Sequence, residues 1–98
     1  DANGIQSLGR TEEVLGLEPL ADKFRAFGWT VHDFDGHDHR SLLDSLGSIP
    51  SSAGRPTCVV ARTTKGKGVE FMEDSLAWHY RSPDPDAVAD ILSRIRGT

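Results

Sequence analysis

The sequence predicts an α/β fold: an incomplete parallel sheet with flanking helices. Segments with helical apolar spacing alternate along the chain with short runs rich in β-branched and apolar residues. Helices lying between strands call for parallel pairing with right-handed crossovers. Only two full strands fall within the 98 residues, with the end of a third at Asp1–Asn3. Two strands cannot make a sheet covered on both faces, so the missing strands are expected from the rest of the polypeptide or from another chain.

Taken in order, Leu20, Ala21, Phe24 and Phe27 follow one another at spacings of 1, 3 and 3, the stripe of a helix from about Glu18 to Ala26. Gly28 suits the left-handed position that ends it. Trp29–Phe34 reads as a strand, and Asp35-Gly36 forces a turn. Asp38 is placed to cap a second helix, whose buried stripe is expected at Leu42, Leu43 and Leu46. A Pro/Ser/Gly linker spans residues 50–55. Pro56–Arg62 is then almost continuously apolar, as in a strand buried on both faces. Thr63 to about Pro83 is a loop rich in Gly, Lys and acidic residues. Asp84-Pro85 opens a last helix, with Val88, Ile91, Leu92 and Ile95 as its apolar stripe.

Composition narrows the function classes. The length suits one small domain whose core is marginal without partners. A formal net charge of −4 gives no electrostatic reason to expect nucleic acid or an anionic membrane. No apolar run approaches the roughly 20 residues that span a bilayer, and the polar opening Asp1-Ala2-Asn3-Gly4 gives no expectation of a signal peptide. Cys58 is the single cysteine, which rules out an internal disulfide and suits a reducing cytoplasm. The chain starts without methionine and is read as a fragment or processed piece.

Ligands of open α/β sheets gather where strands end, and three segments fall there: Asp1–Gln6, Asp35–Asp38, and the loop from Thr63 to Tyr80. Asn3-Gly4 is at least a turn. It also offers an amide oxygen at Asn3 and, next along, a main-chain oxygen at Ile5, both suited to a hard cation such as Mg²⁺. Lys65-Gly66-Lys67-Gly68 combines ammonium donors with glycines that let backbone approach an anion. It lacks the spacing of a nucleotide-binding P-loop, and a solvated basic loop is its plainer reading. His79, between Trp78 and Tyr80, is either a packed loop residue or a histidine whose aromatic setting tunes its proton. His37 and His39 have no thiolate or second ligand group at zinc spacing, so zinc is not expected. His32, within a strand, is expected at the surface.

Together and in order, these segments resemble transketolases, especially the split kind whose diphosphate-binding half is a separate subunit. The resemblance rests on Asp1-Ala2-Asn3-Gly4-Ile5, Phe27-Gly28-Trp29, Asp35-Gly36-His37-Asp38, Pro56-Thr57, Thr63-Thr64-Lys65-Gly66-Lys67-Gly68-Val69, Met72-Glu73 and Trp78-His79. It covers nearly the whole chain, which would be the C-terminal part of the diphosphate-binding domain. It implies thiamine diphosphate and Mg²⁺ as cofactors, with Asn3 binding the metal through its side chain and Ile5 through its main-chain oxygen. It further implies Lys65 facing the diphosphate or the substrate channel. His79 would be the catalytic residue, lying between diphosphate and substrate and donating hydrogen bonds to the sugar. The implied reaction moves a two-carbon ketol unit between sugar phosphates. Asp35–Asp38 is read as structural.

The resemblance also says what this segment lacks. The Gly-Asp-Gly stretch with a further metal ligand and the channel histidines would precede residue 1. The glutamate that activates the cofactor would come from a pyrimidine-binding half, normally a partner subunit. The 98 residues alone are therefore expected to be inactive, and a homo- or hetero-oligomer is expected. The competing readings are a synthase joining pyruvate to a sugar phosphate, a dehydrogenase-type E1 component, a non-catalytic α/β interaction domain, and an unrelated anion-binding module.

Overall fold

In chain order the elements are β1 (Ile5–Gln6), β2 (Gly9–Arg10), α1 (Thr11–Val14), α2 (Leu20–Ala26), β3 (Thr30–Asp35), α3 (His39–Gly47), β4 (Thr57–Arg62), a 3₁₀ turn (Leu76–His79) and α4 (Pro85–Arg96). The computed structural model describes residues 1–50 and 53–97. Ser51 and Ser52, in the middle of the expected linker, lie outside the described residues. The chain divides into two units, one of residues 1–2 and 15–63, the other of residues 3–14 and 64–98. No helix is long and apolar enough to cross a membrane, among the described residues.

The first unit holds the parallel pair. β3 and β4 run side by side in continuous register from Thr30↔Thr57 to Asp35↔Arg62. On the other edge of β4, Ala2 forms a parallel bridge with Arg62, and its N–H donates to the Ala61 carbonyl at 2.8 Å. The expected third-strand end at Asp1–Asn3 is thus present, as one bridge. Val60, opposite Asp33 in the β3–β4 pair, is 3% exposed. α2 packs on β3, burying Ala21 and setting the Phe24 ring edge-on to Trp29 at 5.4 Å. α3 leads from β3 to β4, which gives the βαβ connection that the alternation predicts.

Boundaries differ from the sequence reading by a residue or two. α2 starts at Leu20, whose N–H is taken by the Glu18 carboxylate at 2.9 Å, with Pro19 between them. It ends at Ala26, so Phe27 lies beyond the apolar stripe and is 83% exposed, against expectation. Gly28 does take the left-handed conformation (φ 86°) that closes the helix. Asp38 caps α3, accepting from the Arg40 N–H at 3.0 Å and the Ser41 hydroxyl at 2.6 Å. These bonds hold its carboxyl below the usual range. The α3 stripe is a correction: Leu42 is half-buried, but Leu43 is 72% exposed and Leu46 also faces outward. A two-stranded sheet offers too little face to cover the stripes of both its helices. His32, expected at the surface, is half-buried beside the groove between β3 and α3.

Arg62 ends β4 and gathers two carboxylates. It forks onto Asp33 with two bonds of 2.9 Å and also bonds Glu18. Those bonds raise the guanidinium pKa and lower both carboxyls.

The second unit is built from a hairpin, a turn-rich loop and the last helix. β1 and β2 pair antiparallel, Ile5↔Arg10 and Gln6↔Gly9, and α1 follows against β2. The hairpin and α1 were not apparent in the sequence. α4 starts as expected: the Asp84 carboxylate accepts from the Ala87 N–H at 2.9 Å, and Pro85 is in the first turn. Ile91 and Val69 are buried, whereas Val88, Leu92 and Ile95 remain exposed. The short hairpin offers α4 no broad sheet face to lie on, and one residue of that stripe finds cover.

Candidate functional site

All four residues proposed for chemistry, Asn3, Ile5, Lys65 and His79, fall in the second unit. The hairpin register decides where the first two point. Gln6↔Gly9 closes the two-residue turn, and the Thr11 N–H bonds the Gly4 carbonyl at 2.9 Å. Hydrogen-bonded pairs alternate with non-bonded ones in antiparallel ladders. Ile5↔Arg10, lying between them, is therefore a non-bonded pair, and the Ile5 N–H and C=O face away from β2. That N–H donates to Asn3 Oδ1 at 2.9 Å. The Asn3 side-chain oxygen and the Ile5 main-chain oxygen consequently share the outer edge of the hairpin. An amide oxygen has two lone pairs and can serve two partners.

Those oxygens are neutral, half-buried and hard, a donor pair that fits Mg²⁺. They bring no charge, so a cation held there would take its counter-charge from elsewhere, as a bound diphosphate would supply.

The loop after β4 is shaped by its glycines. Gly66 has φ 75°, and a Cβ built on it would lie 2.7 Å from the Met72 carbonyl oxygen, so only glycine fits. The Gly68 N–H donates to Glu73 Oε1 at 3.0 Å, and Lys67 Nζ lies 3.8 Å from the same oxygen. The two lysines are thereby separated in role. Lys67 is exposed and engaged by Glu73. Lys65 is half-buried and has no carboxylate within ion-pair distance, among the described residues. If one of the pair meets an external anion, the geometry favours Lys65.

Glu73 is followed by Asp74, which has a left-handed backbone (φ 53°). Its N–H donates to the Lys65 carbonyl at 2.9 Å, and its carboxylate pairs with Arg10 at 2.6 Å. This bond, then the charge behind it, holds the Arg10 guanidinium above its ordinary pKa. Loop and hairpin are thus tied together. β1 also packs against the 3₁₀ turn, which ends at His79. There the Trp78 ring leans on Phe71 at 5.5 Å, and the His79 ring lies tilted over Tyr80 at 4.8 Å, exposed. Arg10 carries no signal in the sequence, and Glu73 carries one only as a point of family resemblance. Two consecutive acids after a basic loop were the available signal for the Glu73–Asp74 brace.

Asp35–Asp38 lies in the other unit and is occupied by structure. The Gly36 N–H bonds the Arg62 carbonyl at 2.7 Å, and the His37 N–H bonds Asp35 Oδ1 at 2.9 Å. A Cβ at Gly36 would fall 2.6 Å from Thr63 Cγ2, so the turn packs directly onto the end of β4.

Comparison with known proteins bears on what this arrangement serves. Residues 1–95 match the family described as "Transketolase, thiamine diphosphate binding domain". An apulose-4-phosphate transketolase subunit of Actinobacillus succinogenes is 41% identical over 96 residues, covering 98% of this chain and 34% of that protein. Its counterpart in Phocaeicola vulgatus is 36% identical, covering 97% and 35%. The 6-deoxy-6-sulfo-D-fructose transketolase subunit SqwG of a Clostridium species is 42% identical over 79 residues, covering 81% and 29%. The chain spans about a third of the length of these relatives. The parallel α/β pair, the glycine-shaped lysine loop and a match across residues 1–95 together make this chain a member of the transketolase family, within its thiamine-diphosphate-binding domain.

Proposed function

We propose that this chain forms part of a transketolase that moves a two-carbon ketol unit from a ketose phosphate to an aldose phosphate. Thiamine diphosphate and Mg²⁺ would be its cofactors, and a pyrimidine-binding half, in the same polypeptide or a partner subunit, would complete the site. A cytoplasmic setting suits its single thiol, Cys58. The observation that carries this reading is the shared edge of Asn3 Oδ1 and the Ile5 carbonyl, in the same unit as Lys65, which no carboxylate engages among the described residues. The names of the relatives, subunits of transketolases acting on different sugars, support the reaction class.

Each residue then has a definable task. Asn3 and Ile5 would ligate the metal through neutral oxygens, leaving its charge to bind the two phosphates. Lys65 would add a point charge on the phosphate side, with its main-chain oxygen fixed by Asp74. His79, exposed at the end of the 3₁₀ turn, would donate a hydrogen bond to a sugar oxygen that gains charge as the carbon–carbon bond breaks. When bound, the cofactor supplies the carbon nucleophile and the electron sink.

Calorimetry on the complete protein with its partner half tests the reading. Thiamine diphosphate should bind in the presence of Mg²⁺, and Asn3→Ala should weaken binding by raising the metal requirement. No heat and no thermal shift with the wild-type protein would end the cofactor assignment. Turnover with pyruvate as donor, and none with a ketose phosphate, would redirect it to the synthase class.

A further inference from the structure

Arg10 and Asp74 have no place in the roles just given, yet they join two parts of the site. Arg10 stands directly opposite Ile5 in the hairpin register. Asp74 reaches it with its side chain at 2.6 Å, while its backbone N–H holds the Lys65 carbonyl at 2.9 Å. One residue therefore contacts both the strand across from the proposed metal edge and the lysine on the proposed phosphate side. Asp74 does so from φ 53°, a conformation that costs free energy outside glycine and persists where the surroundings over-determine it. The next bond along the loop, from the Gly68 N–H to Glu73, fixes its other end.

We propose that Arg10 and Asp74 are a positioning pair, which fixes the Asn3–Ile5 edge relative to the Lys65 loop and so sets the affinity of the site for Mg²⁺. This rests on the metal and diphosphate reading above. In this proposal the pair acts through the strand and the loop that it joins, not as a ligand. Both side chains are about half exposed, and an ordinary ion pair of that kind contributes little to stability. The consequence to look for is accordingly in metal binding more than in unfolding. Removing the pair breaks the side-chain link between hairpin and loop, but leaves β1 on the 3₁₀ turn and the Asp74 N–H and the Glu73 bond to hold the loop.

The experiment uses the complete protein with its partner half and titrates Mg²⁺ at fixed thiamine diphosphate, following tryptophan fluorescence. Arg10→Ala and Asp74→Asn should each raise the Mg²⁺ concentration for half-saturation about three- to tenfold, between a surface pair and an outer-shell partner of a metal ligand. The double variant should be no worse than Arg10→Ala alone, because both substitutions act on the same link. Arg10→Lys should recover most of the affinity. Thiamine diphosphate titrated at saturating Mg²⁺ should bind all variants nearly as well as wild type, a split that general loosening of the fold would not produce. Wild-type metal dependence in the single variants, or losses that multiply in the double variant, would overturn the pair while leaving the functional reading intact. Failure of the wild-type protein to bind the cofactor with Mg²⁺ would remove that reading and this inference with it.

Discussion

Gly66→Ala is the sharpest single test of the lysine loop. Two costs add at this position. At φ 75°, alanine is in the left-handed region, which costs about 1–2 kcal/mol relative to glycine. The new Cβ would also lie 2.7 Å from the Met72 carbonyl oxygen and 2.8 Å from its carbon. Those are backbone atoms that cannot rotate away, so the loop must shift, at about 1–3 kcal/mol by analogy with overpacked cores. The expected loss is about 2–5 kcal/mol. Gly68→Ala is the internal control. Its φ is 93°, but nothing lies within 4 Å of the place its new methyl would take, so only the first cost applies. Urea unfolding of the complete protein, followed by tryptophan fluorescence, measures both, and Trp78 packs within the same unit. Equal losses for the two variants would refute the close approach of Gly66 to Met72.

Other expectations follow from the same geometry. Lys65→Met should weaken thiamine diphosphate binding in calorimetry more than Lys67→Met, because Glu73 already engages Lys67; the reverse order would reassign the anion-facing lysine. Asp84→Ala should cost about 1 kcal/mol in thermal or urea unfolding by removing the α4 cap. The Arg62 cluster should make stability fall in acid. The folded carboxyls of Asp33 and Glu18 sit below their ordinary values of 3.8 and 4.5. Their stabilisation is therefore complete above those values and is lost as pH falls through the lower folded ones. The stability gap between wild type and Arg62→Met should accordingly be open at pH 7 and close as the carboxyls protonate; a gap independent of pH would refute the linkage.

The parts of this chain that are legible in sequence are those governed by local rules. The caps at Asp38 and Asp84 and the strand at 57–62 depend on a few neighbouring residues, and a reading of those residues finds them. Stripe burial is a different kind of statement, since it needs to know what surface a helix meets. Leu43 and Leu46 have the right spacing and still face outward, because two paired strands cannot cover the stripes of both α2 and α3. The hairpin of Ile5–Gln6 with Gly9–Arg10 escaped for a third reason. Strands of two residues carry no periodicity, and the Ser7-Leu8 turn is not an Asn-Gly type signal.

The same distinction separates the candidate residues from the groups that orient them. Asn3, Lys65 and His79 are visible because their side chains have recognisable chemistry and fall in a family order. The Ile5 oxygen is main-chain and invisible to composition; the family order names it, and the register adds that Ile5 is in a non-bonded pair beside Asn3. The division between Lys65 and Lys67 likewise belongs to three dimensions. By residue chemistry alone they are equivalent lysines in a repeating Lys-Gly pattern, and only the family order singles out Lys65 in the sequence. What separates them is Glu73, whose one carboxylate oxygen binds the Gly68 N–H and faces Lys67, while the next residue turns left-handed and directs its own carboxylate to Arg10. A Glu-Asp dipeptide thus reaches in two directions, so exchanging the order of its acids should disturb both the loop and the hairpin even though composition and charge are unchanged.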